Sequence, residues 1–235
     1  MNTPLEINAE GFANAARSAL QHWSECADAD TTEVTLIKHR ENAVYKVTNN
    51  LGERYALRLH RQGYHSDAQL RSELQWMSAL RERGVLVPRV IPCRNGALLT
   101  LIEMNGEQLQ CDLLSWVDGA PLGCIEDGVE GDEASLQQVY HTIGALAAKV
   151  HEQSNAWLQS EAFKTLTGGD FQRQAWDQDG LLGDNPIWGR FWELKQLTAE
   201  QLDLLHAAKE KALQRLSAFG QTPDRYGLIH CDFLP

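Results

Sequence analysis

The sequence predicts an α+β protein with an antiparallel β-rich lobe over residues 1–117 and a mostly helical lobe over residues 134–235. Short runs of β-branched and aromatic residues, separated by turn signals, dominate the first part. Long stretches with apolar residues at helical spacing dominate the second. Between them, residues 118–133 hold six acidic residues, four glycines and no basic residue, which is typical of a solvated linker.

The β-rich lobe is predicted to open with a helix and to continue with strands. Residues 9–24 place four apolar side chains on one helical face, namely Phe12, Ala16, Leu20 and Trp23. Three strand-like runs follow, at residues 32–39, 42–49 and 53–60. The sequence NNLG at residues 49–52 predicts a hairpin loop between the second run and the third.

The main helix of this lobe is predicted to start after Ser66, which can form a capping box with Gln69. Apolar residues then recur at helical spacing up to Leu80, and Gly84 is the expected C-cap. Strand character returns in RVIPC (89–93), ALLTLIEM (97–104) and EQLQCDLLSWV (107–117). Asn95-Gly96 and Asn105-Gly106 lie between these runs and predict hairpins. The order β-β-β-α-β-β, with a short extra strand at 89–93, predicts one antiparallel sheet with a helix against it.

The second lobe is predicted to contain two long helices, at residues 135–154 and 197–220. The first places six apolar side chains on one face, which we expect to be buried: Leu136, Val139, Tyr140, Ile143, Leu146 and Val150. The second opens with Thr198 and Gln201 as a capping box and closes on Gly220. Residues 155–196 contain four tryptophans and several turn signals, and predict loops and short helices packed by aromatic side chains.

The composition excludes several classes of function. The net charge of −11 argues against a broad nucleic-acid-binding surface, although a small basic pocket for an anionic substrate is compatible with it. No apolar run is long enough to span a bilayer, and the N-terminus lacks the pattern of a signal peptide, so a cytoplasmic protein without a membrane partner is expected. The five scattered cysteines, never spaced as C-x-x-C, predict neither a metal cluster nor a disulfide framework.

The sequence ends in LIHCDFLP, which contains an H-x-D tripeptide at His230, Cys231 and Asp232. In protein kinases an H-x-D lies in the catalytic loop, where the Asp accepts the proton of the attacking hydroxyl. A second H-x-D starts at His65, but there Ser66 is better explained as a helix cap. Apolar residues on both sides favour the tripeptide at His230 as the catalytic one. The alternative is an ordinary polar pair in a turn.

The third strand-like run carries a second kinase-like pattern. Kinases place Ala and Lys two residues apart on their third strand, and alternation puts Ala56 and Arg58 on one face here. Arg suits phosphate and carboxylate as well as Lys does, and Glu73 on the next helix can pair with it. The loop before the second run has no G-x-G-x-x-G, yet backbone at Asn42 and Ala43 could still cover phosphates. The alternatives are a surface arginine and a solvated glutamate.

These stretches together resemble the aminoglycoside phosphotransferase and homoserine kinase type II family, the small-molecule relatives of protein kinases. ENAVYKV is similar to the nucleotide loop of that family, YALRLHR to its third strand, IGALAAKVHEQS to a C-lobe helix and LIHCDFLP to its catalytic loop. The resemblance implies a protein-kinase-like fold that uses ATP and Mg²⁺. It further implies a hinge that offers backbone groups to adenine, at Ser115, Trp116 and Val117. Arg58 and Glu73 would hold the ATP phosphates, Asp232 would be the catalytic aspartate and His230 a scaffold residue.

The sequence departs from the family pattern in two ways. Cys231 stands where the family usually has Gly, and the metal-binding Asn expected five residues after Asp232 would be residue 237. We therefore expect a chain truncated in the C-terminal lobe, with unknown metal ligands and no phosphotransferase activity of its own. The predicted function of the whole is ATP-dependent transfer of phosphate to a hydroxyl of a small molecule (amino alcohol, sugar or aminoglycoside-like) or of a protein Ser/Thr. The alternative is a non-catalytic nucleotide- or protein-binding pseudokinase.

Overall fold

A computed structural model of the chain describes residues 9–26, 28, 31–120, 122–124 and 128–231. One antiparallel sheet has six strands: β1 (Glu33–His39), β2 (Asn42–Thr48), β3 (Arg54–His60), β4 (Val90–Ile91), β5 (Thr100–Met104) and β6 (Glu107–Ser115). The strand order is β1-β2-β3-β6-β4, and β5 also pairs with β6. The first three strands confirm the predicted runs to within one residue at each end.

The outer face of the sheet carries the main hydrophobic core. Side chains alternate between the two faces of a strand, and those on this face pack against helix α1 (Ala9–Leu20). In β3, Leu57 is fully buried in this core, whereas Arg58 points to the opposite face. The predicted alternation in β3 is therefore confirmed. Trp23, which follows α1, is also fully buried, and its indole N–H donates to the carbonyl oxygen of Ile91 at 2.9 Å.

The hairpin at Asn105-Gly106 is confirmed, and the one at Asn95-Gly96 is different from the prediction. Asn105 and Gly106 both have positive φ, 56° and 82°, as a two-residue type I′ turn between β5 and β6 requires. Asn95-Gly96 also forms a tight turn, closed by a hydrogen bond from the Gly96 N–H to the Cys93 carbonyl oxygen. However, β4 and β5 do not pair with each other, because both pair with β6.

The main helix of the β-rich lobe, α2 (Asp67–Glu82), begins at the predicted capping box. The Ser66 hydroxyl accepts from the Gln69 N–H at 3.2 Å, and the Gln69 side chain accepts from the Ser66 N–H at 3.0 Å. Ser66 is therefore a helix cap, as predicted for the second H-x-D. Beyond the helix, Gly84 has a φ of 76°, which a glycine adopts without the steric cost of a Cβ.

The segment 118–133 is not a plain linker. Two short strands, β7 (Gly123–Cys124) and β8 (Gly128–Val129), pair as a small antiparallel sheet within it. The next helix starts directly afterwards, because the Asp132 side chain caps it by accepting from the Ser135 N–H at 2.8 Å. The lobe boundaries at residues 117 and 134 stay a prediction.

The described residues of the second lobe contain four α-helices: α3 (Glu133–Leu158), α4 (Glu161–Thr167), α5 (Gln178–Leu182) and α6 (Ala199–Phe219). The predicted capping box at Thr198 and the stop at Gly220 are both present in α6. The expected burial of six apolar residues of α3 is wrong, since Val150 alone among them is buried, while Tyr140 and Leu146 are 58% and 48% exposed. None of the helices that the structure describes is long and apolar enough to cross a membrane.

Helix α2 is joined to the helical lobe by hydrogen bonds along its length. The Trp76 indole N–H donates to the Ser154 hydroxyl at 2.9 Å, and the Gln75 side chain donates to the Leu166 carbonyl oxygen at 3.0 Å. Ser72 accepts from the Gln172 N–H at 2.8 Å. Around these bonds, Trp157 makes edge-to-face contacts with Phe163 and Phe171, so aromatic packing of residues 155–196 is confirmed for this part.

Candidate active site

The candidate active site is built on the inner face of the sheet, opposite the α1 core. The predicted ion pair between Arg58 on β3 and Glu73 on α2 is present, with Nη1 2.8 Å from Oε1. Arg58 also lies directly opposite Asp112 in the pairing of β3 with β6. Its Nε and Nη2 donate to the two carboxylate oxygens of Asp112 at 2.7 and 2.8 Å, the bidentate geometry that suits a guanidinium.

Asp112 is fully buried, so its charge has to be compensated inside the protein. Burial alone would raise the pKa of this carboxyl, but Arg58 and the hydrogen bond from His60 outweigh it and lower the pKa to about 2. His60 Nε2 lies 2.7 Å from Asp112 Oδ2. Because Asp112 is ionised, this nitrogen must carry the proton and donate it. The opposite ring nitrogen, Nδ1, is buried and has no hydrogen-bond partner among the described residues.

Glu73 connects this pair to the helical lobe. Its second carboxylate oxygen accepts from Arg173 Nη1 at 3.3 Å, and the same Nη1 donates to the Gln69 carbonyl oxygen at 3.0 Å. Burial raises the pKa of Glu73, but Arg58 and Arg173 together lower it below its ordinary value. The result is a continuous chain of contacts, which we call the arginine relay: His60, Asp112, Arg58, Glu73 and Arg173.

A cleft of about 1460 Å³ opens beside the relay and separates the two lobes. We call it the interlobe cleft; it is lined by the β1–β2 loop, the loop before α2, residues 171–178 and residues 216–231. Arg173 lines it, and so does His230, which is exposed. Arg58 is not among the lining residues. Asp232, the predicted catalytic residue, lies outside the described residues.

The β1–β2 loop contributes Asn42 to the cleft but not the side chain of Ala43. Asn42 lines the cleft, and its side-chain oxygen accepts from the Arg61 N–H at 3.3 Å. The Ala43 methyl group is buried in the outer core, so only the backbone of Ala43 is left for a phosphate contact. Lys38 and Arg40 in the same segment also line the cleft.

The predicted hinge lies at the other end of the sheet. Ser115 pairs with Tyr55 at the start of β3, whereas Asn42 pairs with His60 at its end, roughly 16 Å away at ordinary strand rise. The N–H groups of Ser115 and Trp116 already donate to the carbonyl oxygens of Arg89 and Arg54. Val117 has no hydrogen bond within the described part of the chain and is 61% exposed. Val117 is therefore the hinge residue whose N–H is available to a ligand.

Cys231 has a backbone conformation that favours glycine. Its φ is 63°, in the left-handed region that side chains with a Cβ rarely occupy. The residue before Asp232 thus keeps the geometry that a glycine would allow, at a cost in backbone strain.

The described residues of the cleft do not form a cluster of metal ligands. No group of three or more His, Cys, Asp or Glu side chains that could hold a metal ion occurs among the residues that the structure describes.

Sequence reasoning missed His60, Asp112 and Arg173. Asp112 carried a usable signal: an aspartate inside the apolar run CDLL of a predicted strand is unfavourable unless it is paired. Alternation would then have placed Asp112 on the face of Arg58. Arg173 had no such signal, because its contact with Glu73 joins residues far apart in the sequence.

Comparison with known proteins identifies the family and the fold of the chain. Residues 33–235 match the model of the phosphotransferase enzyme family. The amicoumacin kinase of Bacillus subtilis (strain 168) is 21% identical over 202 residues, which are 85% of this chain and 52% of that protein. The chain thus spans about half the length of the curated relative that it matches.

Two solved structures are similar over nearly the whole chain. A microcompartment-associated aminopropanol kinase has a TM-score of 0.73 and 31% identity, covering 93% of this chain and 62% of that one. The amicoumacin kinase hAmiN, in complex with AMP-PNP, Ca²⁺ and Ami, has a TM-score of 0.64 and 19% identity, covering 97% and 58%. The fold is therefore kinase-like, with an antiparallel N-terminal sheet and a helical C-terminal region.

Proposed function

Because the chain belongs to the phosphotransferase enzyme family, we propose that it binds ATP with the polyphosphate in the interlobe cleft, for transfer of the γ-phosphate to a hydroxyl of a small, amine-bearing molecule. The observation that carries this proposal is the Arg58–Glu73 ion pair on the inner face of the sheet. In kinases the equivalent pair organises the nucleotide phosphates. A cytoplasmic location, where ATP is available, goes with this proposal.

The adenine is proposed to bind at Val117, whose N–H is available, with Ser115 and Trp116 holding the hinge in place through their own backbone bonds. The phosphates then run along the inner face past Ala56 towards Asn42, because the β1–β2 loop lies at the opposite end of β3. Arg58 and Glu73 anchor the phosphate site. When bound, a divalent cation, proposed to be Mg²⁺, would neutralise phosphate charge.

Asp232 is proposed to accept the proton of the attacking hydroxyl, with His230 supporting the loop that carries it. A carboxylate in this role raises the nucleophilicity of the hydroxyl as the phosphoryl group leaves the nucleotide. The left-handed conformation of Cys231 supports this assignment, since glycine, the residue usual at this position of the family's catalytic loop, adopts it readily.

The acceptor is proposed to carry an amine, since aromatic residues form one wall at the phosphate end of the cleft. Trp176 and Trp188 meet edge to face at 6.0 Å, Tyr64 lies 6.3 Å from Trp188, and all three line the cleft together with Asp177. Exposed indole faces beside a carboxylate attract an organic cation. The relatives named for aminopropanol and amicoumacin favour a small-molecule acceptor over a protein Ser/Thr.

Nucleotide binding is tested on the 235-residue chain by titration calorimetry with ATP and adenosine. Val117→Pro removes the backbone N–H and is expected to weaken both ligands by about tenfold, whereas Val117→Ala keeps the N–H and should bind as the wild type does. Equal binding by both variants would contradict adenine recognition at this residue.

The acceptor class is tested by ADP release with a panel of amino alcohols, sugars and Ser/Thr peptides. The assay uses a version extended at its C-terminus to the length of the relatives, because no activity is expected of the 235 residues alone. Turnover is expected only with amino alcohols and should be lost in Asp232→Asn. Trp188→Ala should raise KM for the amino alcohol and leave KM for ATP unchanged. Equal turnover with sugars lacking an amine would contradict the amine assignment.

A further inference from the structure

The two arginines of the arginine relay, Arg58 and Arg173, differ in how far their charges are neutralised by neighbouring carboxylates. Arginine has five N–H donors, and three of those on Arg58 are engaged by Asp112 and Glu73. Two carboxylates surround this single guanidinium, one of them fully buried. The positive charge of Arg58 is therefore already compensated before any nucleotide arrives.

Arg173 is placed differently at the other end of the relay. All its described hydrogen bonds come from Nη1, which donates to Gln69 and Glu73, so Nε and Nη2 have no partner among the described residues. The side chain is 27% exposed and lines the interlobe cleft. Because Glu73 already shares its charge with Arg58, the Arg173 guanidinium is the less neutralised of the two.

The position of Arg173 matches the phosphate end of the cleft. It lines the same cleft as Lys38, Arg40 and Asn42 of the β1–β2 segment, and as His230 of the catalytic loop. The hinge at Val117 lies at the opposite end of β3 and does not line this cleft. A guanidinium there meets the polyphosphate end of a nucleotide rather than its adenine.

We propose that Arg173 binds the polyphosphate tail of the nucleotide directly, and that His60, Asp112, Arg58 and Glu73 are positioning residues that aim it. Each contact fixes the next: His60 orients Asp112, Asp112 holds Arg58, and Arg58 holds Glu73. Glu73 in turn holds Arg173 Nη1, which leaves Nε and Nη2 for the phosphates. The side-chain cation that contacts the phosphates is thus Arg173 of the helical lobe. This inference rests on the proposed ATP-binding function.

The test compares affinities for ATP, AMP and adenosine in the 235-residue chain. Arg173→Gln is expected to weaken ATP by about tenfold or more, AMP less, and adenosine by less than about twofold, because only phosphates contact the guanidinium. Arg173→Lys keeps the charge and should restore part of the ATP affinity. Arg71→Gln is the matched control: it breaks the Arg71–Asp170 pair between the same two segments, but Arg71 does not line the cleft.

Several outcomes overturn the assignment. An equal loss of ATP and adenosine in Arg173→Gln shows that the residue only holds the lobes together, and so does an equal loss of ATP in Arg71→Gln. A phosphate-dependent affinity in the wild type that survives Arg173→Gln rejects the role of Arg173 alone. A wild type that binds ATP no better than adenosine rejects the proposed nucleotide function and this assignment with it.

Discussion

Helix α6 runs for 21 residues without burying one side chain, whereas the seven residues of β3 bury four. The 26-residue helix α3 buries only Val150, Ser154 and Trp157, near its C-terminal end. The larger hydrophobic core of the described chain thus lies between the sheet and α1, and a smaller cluster joins α2 to the C-terminal part of α3. Burial is the main source of folding free energy. The long helices depend more on local terms, such as the capping box of α6, which contribute about 1 kcal/mol each.

The largest expected effect comes from the polar centre of the sheet. Asp112→Asn leaves the Arg58 charge without its bidentate partner in a buried site, which should destabilise the fold by about 3–5 kcal/mol in urea unfolding followed by tryptophan fluorescence. The matched variant in the helical lobe is Glu161→Gln, which removes an exposed pair with Lys164. That change should be undetectable, because solvent screens such pairs. A loss of similar size in both variants would remove the contrast between the lobes.

A leucine pair tests the same contrast for apolar residues. Leu57 is fully buried in the outer core, and Leu204 of α6 is 69% exposed. Leu57→Ala should cost about 2–5 kcal/mol, because it removes buried methyl groups and leaves a cavity. Leu204→Ala should stay within about 0.5 kcal/mol. Equilibrium unfolding measures both, and a cost above 1 kcal/mol for Leu204→Ala would show that α6 is covered in solution.

Acid should weaken the sheet through Asp112. Its pKa is lowered to about 2 in the folded protein, so its contribution is present above the ordinary carboxyl pKa near 4 and is lost as the pH falls towards 2. The stability gap between the wild type and Asp112→Asn should therefore narrow by about 2 kcal/mol between about pH 4 and pH 2. A gap that stays constant over this range in urea titrations would mean that Asp112 is not held as an anion.

The smallest predicted effect is at Cys231. Cys231→Gly removes a Cβ from a residue with a φ of 63° and should stabilise the loop by about 1 kcal/mol, seen as slower hydrogen exchange around residue 231. Cys231→Ala keeps the Cβ and serves as the control, with no gain expected. A gain in both variants would assign the effect to loss of the thiol rather than to relief of strain.

The sequence predicted the sheet better than the helical lobe because the sheet depends on local signals. Alternation in β3 and the Asn105-Gly106 turn can each be recognised within a few residues, and both were confirmed. Helical spacing located α3 and α6, but spacing cannot show whether a partner covers the apolar face. Tyr140 and Leu146 lie on the apolar face of α3, and both are exposed.

The candidate site divides along the same line. Arg58 and Glu73 were predicted because kinases carry the corresponding cation on the third strand and its glutamate on the helix that follows. Asp112 and Arg173 reach them through β6 pairing and through a contact between lobes, which only the folded chain reveals. The roles of these residues in nucleotide binding stay predictions, and the Arg173 variants test one of them.

The hydrogen bonds from α2 to Ser154, Leu166 and Gln172 also have a mechanical consequence. If the two lobes hinge apart, α2 is expected to move together with the helical lobe and away from the sheet. Opening would then separate α2 from the sheet at the Arg58–Glu73 and Gln110–Asp67 contacts, while the Glu73–Arg173 contact stays intact. The distance between β3 and α2 would therefore report on lobe closure. A pair of spectroscopic labels on these two elements could measure it as nucleotide is added.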